Sequence, residues 1–407
     1  MSDAAQPRIV VFFVHGTWAG GAEWTRDDSA LVQGLRKSLA PVQLELRRLR
    51  WSGRNTHGQR LEAAEQLRTD IDASLHDNPG IPHFIVAHSH GGSVACYALQ
   101  DKRLSSAITG VLCLGTPFLH VHKSRLPKGL YFVSLLTLLV FSLNAVSYLF
   151  RPAEDPIMFW LTALTALLVF PVLGLLLLAL WRARGDRFGL KSLREARRNP
   201  DRYFGALALP ELEPEKFVAV RITGDEAAGA LVASQFFAWL FRLLWTKLAK
   251  IWEFFDRYRR TAGTIVGFVL LAGFGAAGLG IISTEAQVGI RGVAVGLLAL
   301  GGIVSLVIGF LAYCTLALMF VMHLPFGADA MLVSFIMQTT AEPSPPGSAN
   351  VYHVTPREEP TKKTVGLRHC EIYEHSRVIE FVGDWIARKL QVAEQPPAAL
   401  GRVRIWR

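Results

Sequence analysis

The chain has 407 residues, of which 51% are hydrophobic, and a formal net charge of +10. Its mean hydropathy of +0.29 comes from a few long uncharged stretches, which leaves a globular part of about one domain. The basic residues flank those stretches and do not alternate with aromatics on a soluble face, so the composition argues against a nucleic-acid partner. The four cysteines lack metal-type spacing, and we expect reduced thiols and no metal site.

The first third of the chain alternates between two kinds of segment. Buried-strand runs are predicted at residues 8–14, 84–88 and 110–113, and helix-like segments at 28–39 and 60–75. A strand, helix, strand, helix order favours a parallel sheet covered on both faces, which is an α/β fold. No cleavable signal peptide is expected, because residues 1–7 are polar and the next apolar run is short.

The most informative motif is Ala87-His88-Ser89-His90-Gly91, which follows an apolar run and precedes a helix-competent stretch. A serine on a sharp strand-to-helix turn exposes its hydroxyl, and its neighbours must be small for the turn to pack. The motif therefore predicts a nucleophilic role for Ser89, although Ala87 replaces the first glycine of the G-x-S-x-G pattern.

These residues give the chain a resemblance to a known family. Together with His15-Gly16 and Gly115-Thr116-Pro117, the serine motif resembles the lipase and esterase branch of the α/β-hydrolases, over roughly residues 7–120 and 214–392. The resemblance implies a Ser-Asp-His triad in that chain order and an oxyanion hole from the backbone amides of Thr17 and His90. It implies no metal and no organic cofactor, and the sequence has no phosphate-binding or dinucleotide fingerprint.

The acid candidate is Asp225, on the turn after an alternating strand at residues 217–222. Its neighbour Glu226 is the alternative acid. Aspartate after glycine often caps a helix, so Asp225 could also have only that structural role.

The base candidate is His369. In the branch that the chain resembles, the catalytic histidine precedes a Val-Ile pair at the start of the final helix by about nine residues, and His369 matches that spacing to Val378-Ile379. His375 does not match and remains the alternative, as a surface or helix-entry residue by default. His353 lies within a strand and is a poor base. Three histidines belong to the turn motifs and are expected to support their shape: His15, His88 and His90.

Long uncharged stretches predict two transmembrane hairpins. Residues 130–150 pair with 157–181, and residues 264–284 pair with 292–322. Each stretch can cross about 30 Å of hydrocarbon, whereas buried core helices are usually shorter. Lysines and arginines gather on the flanks of the hairpins, and the connecting loops carry only Arg151 and Arg291, so the flanks are predicted to be cytoplasmic.

A segment rich in aromatic and basic residues, 231–260, lies between Asp225 and the second hairpin. Its mixture is typical of a helix that lies in the membrane interface, and an ordinary amphipathic helix on the domain is the alternative.

The predicted architecture is an α/β-hydrolase fold interrupted by two transmembrane hairpins. Its parts are the first half of the core (1–129), the first hairpin (130–181), a basic segment with the acid-bearing strand (182–226), the interfacial segment (227–262), the second hairpin (263–323) and the C-terminal part of the core (324–407).

The predicted function is a multi-pass membrane serine hydrolase with a cytoplasmic catalytic domain. Its expected partners are the bilayer and a lipid or lipophilic ester, cleaved through an acyl-enzyme. Two alternatives remain open, a tethered esterase or thioesterase for soluble substrates and a non-catalytic binding module. The oligomeric state is not predicted.

Overall fold

The computed structural model describes residues 7–19, 22–123, 198–278, 284–327, 337–347, 350–355 and 368–394, together with residues 174 and 330. The first predicted hairpin, residues 130–181, lies outside these ranges apart from residue 174.

The centre of the protein is a parallel sheet. Six strands form it: β1 (Arg8–Val14), β2 (Gln43–Arg48), β3 (His83–His88), β4 (Gly110–Leu114), β6 (Phe217–Ile222) and β8 (Val351–Val354). Their spatial order is β2-β1-β3-β4-β6-β8, and each pair of neighbours is parallel. Two further strands, β5 (Phe118–Lys123) and β7 (Met337–Glu342), pair antiparallel beside it. The expectation of a mostly parallel α/β fold is confirmed. Three strands, β2, β5 and β7, were not predicted from the sequence.

Helices cover both faces of the sheet. The described helices are α1 (Ala30–Ser38), α2 (His57–Asp77), α3 (His90–Ala98), α4 (Lys102–Ala107), α5 (Pro200–Ala206), α6 (Glu226–Gly278), α7 (Thr284–Met322), α8 (Arg368–Glu371) and α9 (Ser376–Glu394). Side chains alternate along β1, so that Val10 and Phe12 pack with α2 and α3, whereas Val11 and Phe13 pack with α1 and α9. The period-two pattern of a strand thus builds two cores, one on each side.

Helices α6 and α7 form a long pair. Trp245 and Ala249 of α6 cluster with Ile308 and Ala312 of α7. The short turn after α7, Leu324–Phe326, is hydrogen-bonded to α2 and the loop before it, since Arg60 donates to the Phe326 carbonyl at 2.9 Å and Asn55 donates to the Pro325 carbonyl at 3.1 Å. Gln235 of α6 donates to the Ala341 carbonyl of β7 at 3.0 Å. The start of α6 and the segment after α7 are therefore both hydrogen-bonded to the rest of the protein.

Residues 227–262 lie within one long helix. This segment was expected to be an amphipathic interfacial helix, and in the structure it belongs to α6, which runs without interruption from Glu226 to Gly278. Within the described ranges, the stretch Glu226–Tyr258 alone is long and apolar enough to cross a membrane, by length and composition only. Core helices of soluble proteins can have the same length and apolar composition, so these two properties support a membrane span only weakly.

Candidate active site

Ser89 lies at the turn between β3 and α3, with backbone angles φ 53° and ψ −135°. A positive φ is uncommon for a residue with a side chain and is found where surrounding structure enforces it, often at functional sites. The Ser89 amide donates to the Leu114 carbonyl at 2.9 Å, which fixes the turn against β4. The local geometry is that of a strained strand-to-helix turn with the serine at its apex.

The glycines after Ser89 are required by close packing. A Cβ on Gly91 would lie 2.3 Å from the carbonyl oxygen of Val14, and one on Gly92 would lie 2.2 Å from Oγ1 of Thr116. Helix α3 can therefore approach β1 and the turn after β4 only because both positions lack a side chain.

The glycine-rich turn after β1 packs directly on Ser89. A Cβ on Gly16 would lie 2.6 Å from Cβ of Ser89 and 3.2 Å from its Oγ. Thr17, one of the two residues expected to supply an oxyanion-hole amide, follows Gly16 and is half-buried. His90, the other, is the first residue of α3. Amides at the first turn of a helix have no partner within the helix, which leaves them for a ligand.

Asp225 and His369 are brought together from positions 144 residues apart. The Nδ1 atom of His369 lies 3.0 Å from each carboxylate oxygen of Asp225, and both side chains are buried. One of these oxygens, Oδ1, also accepts hydrogen bonds from the backbone amides of Ala227 at 2.9 Å and Ala228 at 3.2 Å, at the start of α6. The capping role considered for Asp225 is thus present together with its contact to His369.

The Asp225–His369 pair and the turn that carries Ser89 lie at the same edge of the sheet. Gly115 follows β4 with φ 56°, and a Cβ there would lie 3.2 Å from Cε1 of His369 and 3.6 Å from Oδ2 of Asp225. The preceding residue, Leu114, accepts the hydrogen bond from the Ser89 amide. The C-terminal ends of β3, β4 and β6 therefore gather Ser89, Asp225 and His369, as expected where parallel strands end side by side.

Burial and hydrogen bonding set the charge of the carboxyl group. Burial by itself raises the pKa of Asp225, but the hydrogen bond and charge interaction with His369 and the amides of Ala228 and Ala227 outweigh it, and the pKa falls below its ordinary value. Asp225 is consequently an anion at neutral pH, and its carboxylate can accept a hydrogen bond from Nδ1 of His369.

The neighbouring histidines are uncharged. Burial lowers the pKa of His88 to about 3 and that of His90 well below the ordinary value, and burial also lowers the pKa of His15. These three imidazoles are neutral at pH 7 and add no positive charge around His369.

The alternative residues are more exposed than Asp225 and His369. Glu226 is exposed at the start of α6, and His353 is exposed on β8. His375 immediately precedes α9, where its carbonyl accepts from the amides of Val378 and Ile379. In the described part of the chain, no group of three or more His, Cys, Asp and Glu side chains is placed to hold a metal ion.

Several residues around the site were not identified from the sequence as site residues. Trp51 stacks on His15 with ring centroids 5.4 Å apart and donates from Nε1 to its carbonyl at 2.9 Å. Trp24 and Tyr373 pack around His88. Their aromatic character offered no local signal, because these contacts join segments far apart in the chain.

Comparison with known proteins adds little to this geometry. No family model matches the sequence, and no curated protein matches it. Among solved structures, the chain is similar to a cutinase-like protein from Cryptococcus sp., with 20% identity and a TM-score of 0.24, over 30% of this chain and 58% of that chain. The match spans less than two thirds of that protein, and a similarity of this degree establishes neither fold nor activity.

Proposed function

We propose that the protein is a membrane-embedded serine hydrolase of the α/β-hydrolase type that cleaves carboxylic esters of lipids or lipophilic compounds. The observation that carries this proposal is the buried Asp225–His369 contact at 3.0 Å, on the sheet edge where Ser89 occupies a strained turn. Nucleophile, base and orienting acid in this relation are the components of acyl-transfer catalysis.

In the proposed reaction, Nε2 of His369 removes the proton from Oγ of Ser89 as that oxygen attacks the ester carbonyl. The oxyanion accepts hydrogen bonds from the amides of Thr17 and His90. The C–O bond to the alcohol breaks, and the alcohol leaves with the proton from the imidazolium. Water, deprotonated by the same base, then attacks the acyl-enzyme, and its proton returns to Ser89 as the carboxylic acid departs.

A lipophilic substrate is supported by an exposed apolar stripe on α6. Val232, Phe236, Trp239 and Leu243 follow one another at helical spacing and are 63, 56, 55 and 42% exposed. The stripe begins within two turns of Asp225. Such a surface is costly in water and is favourable in contact with acyl chains or with the membrane interface.

The membrane arrangement is part of the proposal. Residues 130–181 and 263–323 form two hairpins that cross the bilayer, and the hydrolase body, assembled from residues 1–129, 182–226 and 324–407, faces the cytoplasm. The support is the length of the uncharged stretches and the basic residues on their flanks.

Labelling with a fluorophosphonate probe tests the chemistry. The purified wild type is expected to be labelled at Ser89. The Ser89→Ala variant should not be labelled, and its rate of ester hydrolysis should fall by several orders of magnitude while membrane insertion is retained. Equal labelling of both proteins would refute the nucleophile assignment. An unreactive wild type would favour the non-catalytic binding module.

Chain-length preference tests the lipophilic substrate. Transfer of an acyl chain from lipid into water costs about 0.8 kcal/mol per methylene, so a pocket that opens at the lipid surface favours long esters. Trp239→Ser should reduce the rate on a long-chain ester in micelles more than on a short soluble ester, because Trp239 lies on the exposed stripe. Trp245→Ser is the control, since Trp245 is 1% exposed between α6 and α7 and its loss should affect both substrates equally. A wild-type preference for short esters would favour the tethered soluble-substrate esterase.

A further inference from the structure

His88 connects the nucleophile turn to the residue that bears the proposed base. It is the last residue of β3, directly before Ser89, and its Nε2 lies 3.1 Å from the backbone carbonyl oxygen of His369. We propose that His88 is a positioning residue, which holds the backbone of His369 in register with Ser89 through this hydrogen bond. The inference rests on the proposed function.

The direction of the hydrogen bond follows from its chemistry. A carbonyl oxygen only accepts, so Nε2 of His88 carries the hydrogen and donates it. The other nitrogen, Nδ1, is then unprotonated, and it is buried without a hydrogen-bond partner among the described residues. Because burial keeps the ring neutral, with a pKa of about 3, the tautomer that donates to His369 introduces no positive charge next to the imidazolium formed during the reaction.

The ring orientation of His88 is fixed by packing. Its centroid lies 4.9 Å from that of His369, 5.0 Å from that of Tyr373 and 6.0 Å from that of Trp24. Trp24 and Tyr373 are themselves stacked, with centroids 5.4 Å apart. The donor atom is thus held by side chains from both ends of the sequence.

The backbone of His369 depends on contacts of this kind. It lies in α8, a helix of four residues, and a helix this short has little stability of its own. Asp225 holds the imidazole ring through Nδ1, whereas His88 holds the main chain, so the two contacts constrain different parts of the same residue. A displacement of about 1 Å of a catalytic group costs on the order of 100-fold in rate.

Three substitutions separate the hydrogen bond from the packing. In His88→Gln the amide nitrogen reaches the position of Nε2 and can donate. In His88→Asn the amide nitrogen reaches only the position of Nδ1. In His88→Phe the aromatic packing remains and the donor is lost. The readouts are the second-order rate of fluorophosphonate labelling of the full-length protein in micelles, kcat and KM on a short soluble ester, and the thermal unfolding midpoint.

A positioning role predicts that His88→Gln keeps the labelling rate within about threefold of wild type, while His88→Phe and His88→Asn lose between about tenfold and 100-fold in labelling rate and kcat with KM unchanged. A packing role predicts the opposite order, with His88→Phe near wild type and His88→Gln impaired. That order, equal losses in all three variants, or no loss in any, would overturn the inference. If the wild type were labelled no faster than the Ser89→Ala control, the proposed function itself would be overturned.

Discussion

Replacement of Asp225 by asparagine should separate catalysis from stability at a single position. Oδ1 of Asp225 accepts from two amides of α6, and both oxygens lie 3.0 Å from Nδ1 of His369. In Asp225→Asn the side-chain oxygen should stay with the two amides, which leaves the NH2 group facing Nδ1. Since an NH2 group only donates, the imidazole must present a lone pair at Nδ1, and its hydrogen moves to Nε2, where the proton of Ser89 has to be received.

The expected loss in kcat is on the order of 10⁴-fold, as for the equivalent change in a known serine protease triad, or about 5 kcal/mol of transition-state stabilisation. The free energy of unfolding should fall by less than about 1 kcal/mol, because asparagine and aspartate are equally good helix caps. Asp225→Ala loses the cap as well, so it should show the same loss in kcat and a further loss of about 1 kcal/mol in stability.

Ester hydrolysis and urea unfolding at pH 7 measure the two quantities, and Glu226→Gln is the matched control. Glu226 is exposed, so its substitution should leave both quantities near wild type. The reasoning would be refuted if Asp225→Asn retained kcat within tenfold, or if Glu226→Gln lost activity to the same extent.

Three further predictions follow from the same geometry. His369→Ala should match Ser89→Ala in the loss of activity, whereas His375→Ala should keep most of it, because members of one catalytic unit fail together; the reverse result in ester hydrolysis would move the base to His375. Gly91→Ala should destabilise the protein by about 1–3 kcal/mol and inactivate it, since the new methyl group would lie 2.3 Å from the Val14 carbonyl oxygen. Urea unfolding measures this loss, and Gly229→Ala, where an added Cβ meets nothing within 4 Å, should be neutral or slightly stabilising in the same assay. The lowered pKa of Asp225 means that its stabilisation is present above the pKa of the unfolded state and is lost as pH falls through the lower pKa of the folded state. Urea unfolding between pH 6 and 3 should therefore show a steeper loss in wild type than in Asp225→Asn, and parallel curves would contradict this.

The local chemistry of the strands and turns could be predicted from the sequence. The apolar run before Ser89 and the small residues after it are a local requirement of a buried strand that turns sharply into a helix, and β3 and α3 follow that pattern. The strand before Asp225 was equally clear, because alternation and a Gly-Asp turn are read within a few residues. The edge strand β2 was missed, since its sequence, Gln43–Arg48, is mostly polar and half-buried.

Residue type and turn context indicated which side chains could act as nucleophile, acid and base. Which partners these side chains meet depends on the tertiary structure. Asp225 and His369 are 144 residues apart, and His88 and His369 are 281 apart, so no local pattern shows that Asp225 meets His369 or assigns a contact to His88. The bounds of the helix that follows Asp225 were also not predicted, because α6 continues past residue 262 to Gly278.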